Sequence, residues 1–248
     1  MSGTVEKALN LLELLSTYDG PVRLADLARA NGMNKSTAFR MLETMSHLGY
    51  VTQDEPNGRY MMTTRMWEIG LRALQQNDLR ALARPHLQDL MTRTGETAVL
   101  TRRDRWDVVL VEKIDCNQDL QAMATLGSRS PVHASSFGKA FLMAEPRDVL
   151  TGLTLQQFTP ATITSLDALS ADIDRACTQG AATGRDEYRV GVSGVAAPVM
   201  GPDGLAYGSV GISLPTLRFT DEARAHFVTA VTEVARAIST QMGWRGQA

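Results

Sequence analysis

Within the first 62 residues, three stretches of helical apolar spacing precede a turn-rich hairpin, and few small folds accept that order. Val5, Ala8, Leu9, Leu12 and Leu15 recur at the helical period, and Asp19-Gly20-Pro21 stops the run. A second helix is predicted from Arg23 to about Asn31, with Leu24, Leu27 and Ala28 on one face and Asn31-Gly32 as its turn. A third begins at Asn34, where Ala38, Leu42, Met45 and Leu48 form the inward stripe and Gly49 ends the run. Tyr50-Val51-Thr52 and Arg59-Tyr60-Met61-Met62 then read as short strands around the turn Asp54-Glu55-Pro56-Asn57-Gly58.

Three helices and a hairpin, with a short turn containing Gly32 between the second and third helices, describe a winged helix-turn-helix. A three-helix bundle with an appended hairpin has the same order. In the winged fold, the N-terminal part of the third helix meets base edges in the major groove of double-stranded DNA. That half presents Asn34, Lys35, Ser36, Thr37 and Arg40, with no acid before Glu43. Arg bonds guanine bidentately, Ser and Thr bond several bases, and Lys suits phosphate. Arg59 beside the wing turn is placed for a phosphate or the minor groove, and Arg23 for the backbone. The plainer alternative is a solvated polar face. Residues 1–80 hold nine basic and nine acidic side chains, so clustering alone carries the DNA reading. A whole-chain formal charge of -2 excludes a binder held by bulk positive charge. Weak binding by one copy follows, and a homodimer or homotetramer over paired operator half-sites is the natural remedy.

Thr63 to about Leu79 is predicted as one helix with apolar residues on two sides: Met66, Ile69 and Ala73 on one, Trp67, Leu71 and Leu74 on the other. Such a helix buries both sides, against a second copy or between the chain's own domains. The expected domains are residues 1–62, a linker helix at 63–79, and residues 80–248. Pro85 suits the first turn of the next helix, whose Leu87, Leu90 and Met91 face inward before Gly95. Strands follow at Thr97–Thr101, Val108–Ile114, Val192–Val199 and Tyr207–Leu214. Helices are expected at Ser136–Ala144, at Leu166–Gly180, and from Thr220, the N-cap of a long final helix. Hairpin-linked strands with helices on their faces make an α+β domain with an antiparallel sheet.

Cys116 and Cys177 form no CxxC pair and the four histidines are scattered, so neither metal nor cofactor is expected. Thr4-Val5-Glu6-Lys7 is no apolar leader and no apolar run approaches about 18 residues, so a cytoplasmic chain without a membrane partner is expected. A helix starting near Ser136 turns free N–H groups and a positive dipole end toward whatever precedes it, a ready site for a small carboxylate. Ser136 acting as a simple N-cap is the bland alternative. Ser136-x-x-Lys139 also matches the nucleophile pattern of penicillin-recognising hydrolases, but no Ser-Asp-Asn or Lys-Thr-Gly accompanies it. Asp186 and Glu187 read as a solvated carboxylate pair. GxGxxG, P-loop, GxSxG and HExxH patterns are absent. Three functions are thus weighed: a DNA-binding regulator, an enzyme using Ser136 and Lys139, and a module that binds a protein partner.

Leu24-Ala25-Asp26-Leu27-Ala28, then Asn34 through Leu42, then Gly58-Arg59-Tyr60 resemble the DNA-binding domain of IclR-type regulators. Gly127 through Ala134 with Gly138-Lys139-Ala140, and Gly191-Val192 followed by Val195 through Val199, resemble that family's effector domain. The resemblance runs in order over essentially the whole chain. It implies a winged-helix domain, a linker helix and a GAF-like effector domain, in dimers or dimers of dimers controlling catabolic operons. It also implies a small organic effector, often a carboxylate, held by Met123, Leu126, Ser136, Phe137, Glu187, Gly194, Gly211 and Ser213. Family members that bind the smallest acids resemble Gly-Ala where this chain has Ser136-Phe137. A cysteine is frequent where Gly194 stands, and a serine where Gly211 stands. Phe137 is therefore expected to fill space near the helix start while Gly194 and Gly211 vacate it elsewhere, in a reshaped pocket for which a two- or three-carbon acid is not assumed.

Overall fold

Leu11, Leu12 and Leu15 on one face of α1 (Thr4–Ser16) meet Leu27 of α2 (Leu24–Ala30) and Leu42 and Met45 of α3 (Lys35–His47). The computed structural model describes residues 3–54, 58–75, 79–122 and 124–246, with the side chains of 71–75 outside that description. It divides the chain into two compact units, Met1–Asn77 and Asp78–Ala248.

In the first unit, Gly32 between α2 and α3 adopts φ +65, which a residue without Cβ accepts without strain. Asn34 caps α3: its Oδ1 accepts from the Thr37 N–H at 2.8 Å and from the Ser36 hydroxyl at 2.9 Å. Strands β1 (Val51–Gln53) and β2 (Tyr60–Met62) form the wing, and Val22 adds an isolated bridge to Tyr60. Residues 55–57 of the wing turn lie outside the described residues. Leu48, expected in the inward stripe, is 54% exposed. The helix ends at His47, so Leu48 is its C-cap and the stripe stops one turn earlier. Helix α4 (Arg65–Gln75) is shorter than the predicted linker, because Leu79 already belongs to α5. Of its two apolar sides, Met66 is half-buried and Trp67 is 68% exposed, while Leu71, Ala73 and Leu74 fall on side chains that are not described.

The second unit is built on a six-stranded antiparallel sheet. Its strands are β3 (Thr97–Asp104), β4 (Asp107–Ile114), β5 (Arg129–Pro131), β6 (Ala182–Arg185), β7 (Val192–Met200) and β8 (Ala206–Pro215). They run in the order β5-β4-β3-β8-β7-β6. Because successive residues of a strand face opposite sides, Ala98 and Leu100 meet one helical layer while Val99 meets the other. The first layer is α5 (Leu79–Thr94) with the final helix α8 (Asp221–Gln241); the second is α6 (Ser136–Met143) with α7 (Leu166–Gln179). With both faces covered, β7 reads Val195-Ala196-Ala197-Pro198-Val199 rather than alternating polar and apolar. Pro85, expected in a first turn, lies in the interior of α5. The helix starts earlier because Leu79, Ala83, Leu87 and Leu90 bury one continuous stripe, which offsets the backbone hydrogen bond that proline cannot make.

Two glycines let backbones approach where no side chain fits. A Cβ at Gly138 of α6 would stand 2.2 Å from Val132 Cα, and one at Gly211 of β8 would stand 2.0 Å from the Val195 carbonyl oxygen. Gly138→Ala is expected to destabilise the second unit by about 2 kcal/mol or more, because backbone rather than a flexible side chain must move. Gly70→Ala in α4, where a Cβ meets nothing within 4 Å, is expected to stabilise the first unit by up to about 1 kcal/mol. Denaturant unfolding of both variants checks the opposite signs.

Candidate functional site

Ser135, not Ser136, caps α6. Its backbone is extended (φ -134, ψ 143), and its hydroxyl accepts from the Gly138 N–H at 3.1 Å and donates to the Pro131 carbonyl at 3.0 Å. The cap therefore leaves the Ser136 hydroxyl to other uses. Register places Gly184 of β6 beside Gly194 of β7, and Gly194 beside Ser213 of β8. The first turn of α6 lies over this row. A Cβ at Gly184 would stand 3.3 Å from Ser136 N, and one at Gly194 would stand 2.6 Å from Ser136 Oγ. Further along, the Phe137 carbonyl accepts from Ser209 Oγ at 2.9 Å, and Ser209 Oγ lies 2.7 Å from Thr101 Oγ1. A buried polar chain thus pins the helix start to the sheet.

One turn on, Lys139 is fully buried beside Ala140, Phe141 and Leu142. Its Nζ donates to Asp172 Oδ2 of α7 at 2.7 Å and to Glu187 Oε1 at 2.8 Å, and Arg175 holds the other Asp172 oxygen at 2.6 Å. The Asp186-Glu187 pair is therefore not solvated, contrary to expectation. Asp186 sits at φ +58, and its carboxylate accepts from the Gly191 N–H and the Thr216 hydroxyl, both at 2.7 Å. Thr159 and Thr162 donate to the Asp186 and Glu187 carbonyls, each at 2.6 Å. Sequence reading missed this cluster, although a lysine inside an apolar helical run signals a buried counter-ion.

Between the start of α6 and the sheet lies a cavity of about 120 Å³. Five of the sequence-predicted effector residues line it: Ser136, Phe137, Glu187, Gly194 and Ser213. Gly211 does not, since its α-carbon abuts the β7 backbone, and Leu126 is half exposed and not part of the wall. Met123 lies outside the described residues. The two glycines do not vacate space as expected: Ser136 Oγ occupies the place beside Gly194, and β7 the place beside Gly211. Apolar Val99, Val108 and Leu110 also line the cavity. A wider cleft of about 410 Å³ shares Arg129, Ser130 and Tyr188 with it.

In the first unit, Arg23, Lys35, Ser36, Arg40 and Arg59 are exposed, and Thr37 is half-buried. Asn34 is exposed but commits its oxygen to the cap. Among the described residues none of Arg23, Lys35, Arg40 and Arg59 joins an ion pair, whereas the neighbouring Arg29 meets Asp26 at 3.7 Å. No group of three or more His, Cys, Asp or Glu among the described residues is placed to hold a metal, and none of the described helices is long and apolar enough to cross a membrane.

Burial pushes the Glu187 carboxyl above the usual carboxylate range; the Lys139 charge and hydrogen bond pull it down, and the Asp172 charge pushes it up. The folded chain therefore takes up this proton more readily than the unfolded one. The associated stability is present below the ordinary carboxylate range and is lost as pH rises through the raised value. Relative to Glu187→Gln, the natural protein should gain stability as pH falls from neutral. Urea unfolding of both proteins across acidic pH checks it, and a pH-independent difference would contradict it.

The description "Bacterial transcriptional regulator IclR C-terminal" matches residues 71–240, and "IclR helix-turn-helix domain" matches residues 4–55. The HTH-type transcriptional regulator KdgR of Escherichia coli K12 is 34% identical over 97% of this chain and 93% of its own length. The HTH-type transcriptional regulator XynR of the same organism is 31% identical over 97% of each chain. The crystal structure of the Thermotoga maritima IclR superposes with a TM-score of 0.83 at 26% identity, over 97% of this chain and 99% of the other. The α+β fold, with its N-terminal helix-turn-helix and C-terminal antiparallel sheet, matches accordingly, and the chain belongs to the IclR family of DNA-binding transcriptional regulators.

Proposed function

We propose that the protein is a cytoplasmic regulator of a catabolic operon, binding paired DNA half-sites as a homo-oligomer and responding to a small carboxylate-bearing effector. Residues 1–62 would contact DNA, 63–79 would link, and 80–248 would hold the effector. The observation that carries the reading is the start of α3, where exposed Lys35, Ser36 and Arg40 stand free of acidic partners among the described residues. Arg40 reads bases, Lys35, Arg23 and Arg59 meet phosphates, and Ser36 and Thr37 add hydroxyl contacts. Asn34 contributes chiefly by holding the helix start.

In the second unit, the first-turn N–H groups of α6 and the Ser136 and Ser213 hydroxyls border the cavity and suit a carboxylate. The cavity volume, below the roughly 300–1,000 Å³ of drug-sized sites, favours a small metabolite. Lys139 favours this reading over a Ser136/Lys139 hydrolase, because its Nζ already donates to two carboxylates and is poorly disposed to take a serine proton. Regulation then requires that the effector bind the DNA-competent and DNA-incompetent states with different affinities.

On a duplex from upstream of its own coding region, Arg40→Ala is expected to cost about 1–3 kcal/mol and to relax base preference. Lys35→Ala should instead weaken all sequences alike and flatten the salt dependence. Unchanged affinity and preference in Arg40→Ala would refute the recognition-helix assignment. Ser136→Ala and Ser213→Ala should blunt the effector's influence on the same titration while leaving effector-free DNA affinity intact.

A further inference from the structure

We propose that Phe39 is a base-reading residue, and that the feature it reads is the 5-methyl group of thymine in the operator. The inference rests on the recognition-helix reading above and extends it to an apolar side chain. Phe39 is the fifth residue of α3 and is 42% exposed, so its ring lies outside the core formed by Ala38, Leu42 and Met45 on the same helix. Val5, Leu9, Leu48 and Ile69 are exposed as well, but together they line one groove, which Phe39 does not border. Among the described residues no other ring or guanidinium stacks on Phe39, whereas Tyr50 of the same unit carries Arg65 at 5.9 Å. A large apolar side chain thus stands unpartnered in the first two turns of α3, the part of a recognition helix that meets base edges.

What adjoins the ring selects its partner. Lys35 and Phe39 are four residues apart, as are Ser36 and Arg40, so the four side chains form two neighbouring rows of one helix surface. Lys35 and Arg40 join no ion pair among the described residues. An apolar ring beside unpaired cations suits a polyanion that also offers an apolar group. Duplex DNA does so in its major groove, where the thymine methyl is the apolar feature of the base edges. A symmetric contact between two copies centred here would instead set Lys35 and Arg40 against their own counterparts, like charge against like. Phosphates and the methyl are thus met by adjacent side chains: the cations hold the helix in the groove, and the ring scores the base.

The test is fluorescence anisotropy of the full chain on the duplex from upstream of its own coding region, prepared once with thymine and once with deoxyuridine throughout. The exchange removes the methyl groups and keeps the base pairing. The natural protein is expected to bind the deoxyuridine duplex about threefold or more weakly, the worth of roughly one buried methyl. In Phe39→Ala that ratio should fall toward one, and in Phe39→Leu, which keeps an apolar reach, most of it should remain. The position is exposed, so neither substitution removes core packing and both variants should unfold at the same urea concentration as the natural protein. Indifference of the natural protein to the methyl groups, or a ratio that survives Phe39→Ala, overturns the proposal. So does a change of oligomeric state in DNA-free Phe39→Ala, which would assign the ring to a contact between copies. In each of these cases a continued preference for native over scrambled duplex keeps the recognition-helix reading while this inference falls. Equal and feeble binding of the natural protein to native and scrambled duplexes, with metabolite extract present, would remove both.

Discussion

The second unit depends on how closely the first turn of α6 can lie on the sheet. Gly184 and Gly194 leave room for Ser136, and Gly138 leaves room for the chain at Val132. Side chains at these three positions would lift the helix and open the layer it forms with α7. Close seating also forces Lys139 inward, and a buried lysine is tolerable only with its counter-charges in place. Asp172 from α7 and Glu187 from the segment after β6 meet that demand. Breaking such a buried pair from one side typically costs about 3–5 kcal/mol, so the cluster fixes the arrangement more than it adds net stability.

One consequence is that the site is assembled from five separate stretches of chain. The α6 start contributes N–H groups and Ser136, the sheet contributes Ser213, Glu187 arrives with the Lys139 cluster, and Val99, Val108 and Leu110 supply the apolar wall. None of these groups sits on a freely moving loop. Even the stretch after β6 is held, by Thr159, Thr162 and Thr216 through Asp186 and Glu187. A preorganised cavity of this kind, part polar and part apolar, discriminates by which donors and acceptors a ligand brings, rather than by adapting to its shape.

Local features were legible in the sequence. The apolar periods of α1 to α3, the turn at Gly32 and the helix start at Asn34 each depend on residues a few positions apart, so pattern reading found them. The hairpin-linked strands at Thr97–Thr101 and Val108–Ile114, and at Val192–Val199 and Tyr207–Leu214, were similarly plain. What escaped was decided at long range. Lys139 finds its partners 33 and 48 residues away, so Glu187 looked like one half of a surface pair. Ser136 was read as the candidate cap, and only the extended backbone of Ser135 puts the cap one residue earlier. Glycine is ambiguous in the same way: Gly194 and Gly211 could have meant empty space, but they mean close approach. Pro85 and Leu48 were misplaced because helix ends follow the buried stripe and the cap, not the residue's statistical preference.

The two units divide the work proposed for them, one carrying a cationic helix start and the other a small cavity with polar and apolar walls. Their joint claim is that this chain recognises a particular DNA sequence through α3. The most direct measurement is fluorescence anisotropy of the full chain on labelled duplexes from around its own coding region, against scrambled duplexes of equal composition, over a salt series. The account predicts tight binding that prefers a native duplex and weakens linearly in the logarithm of salt concentration. Equal and feeble binding to native and scrambled DNA, across the fragments tested and with metabolite extract present, would contradict it.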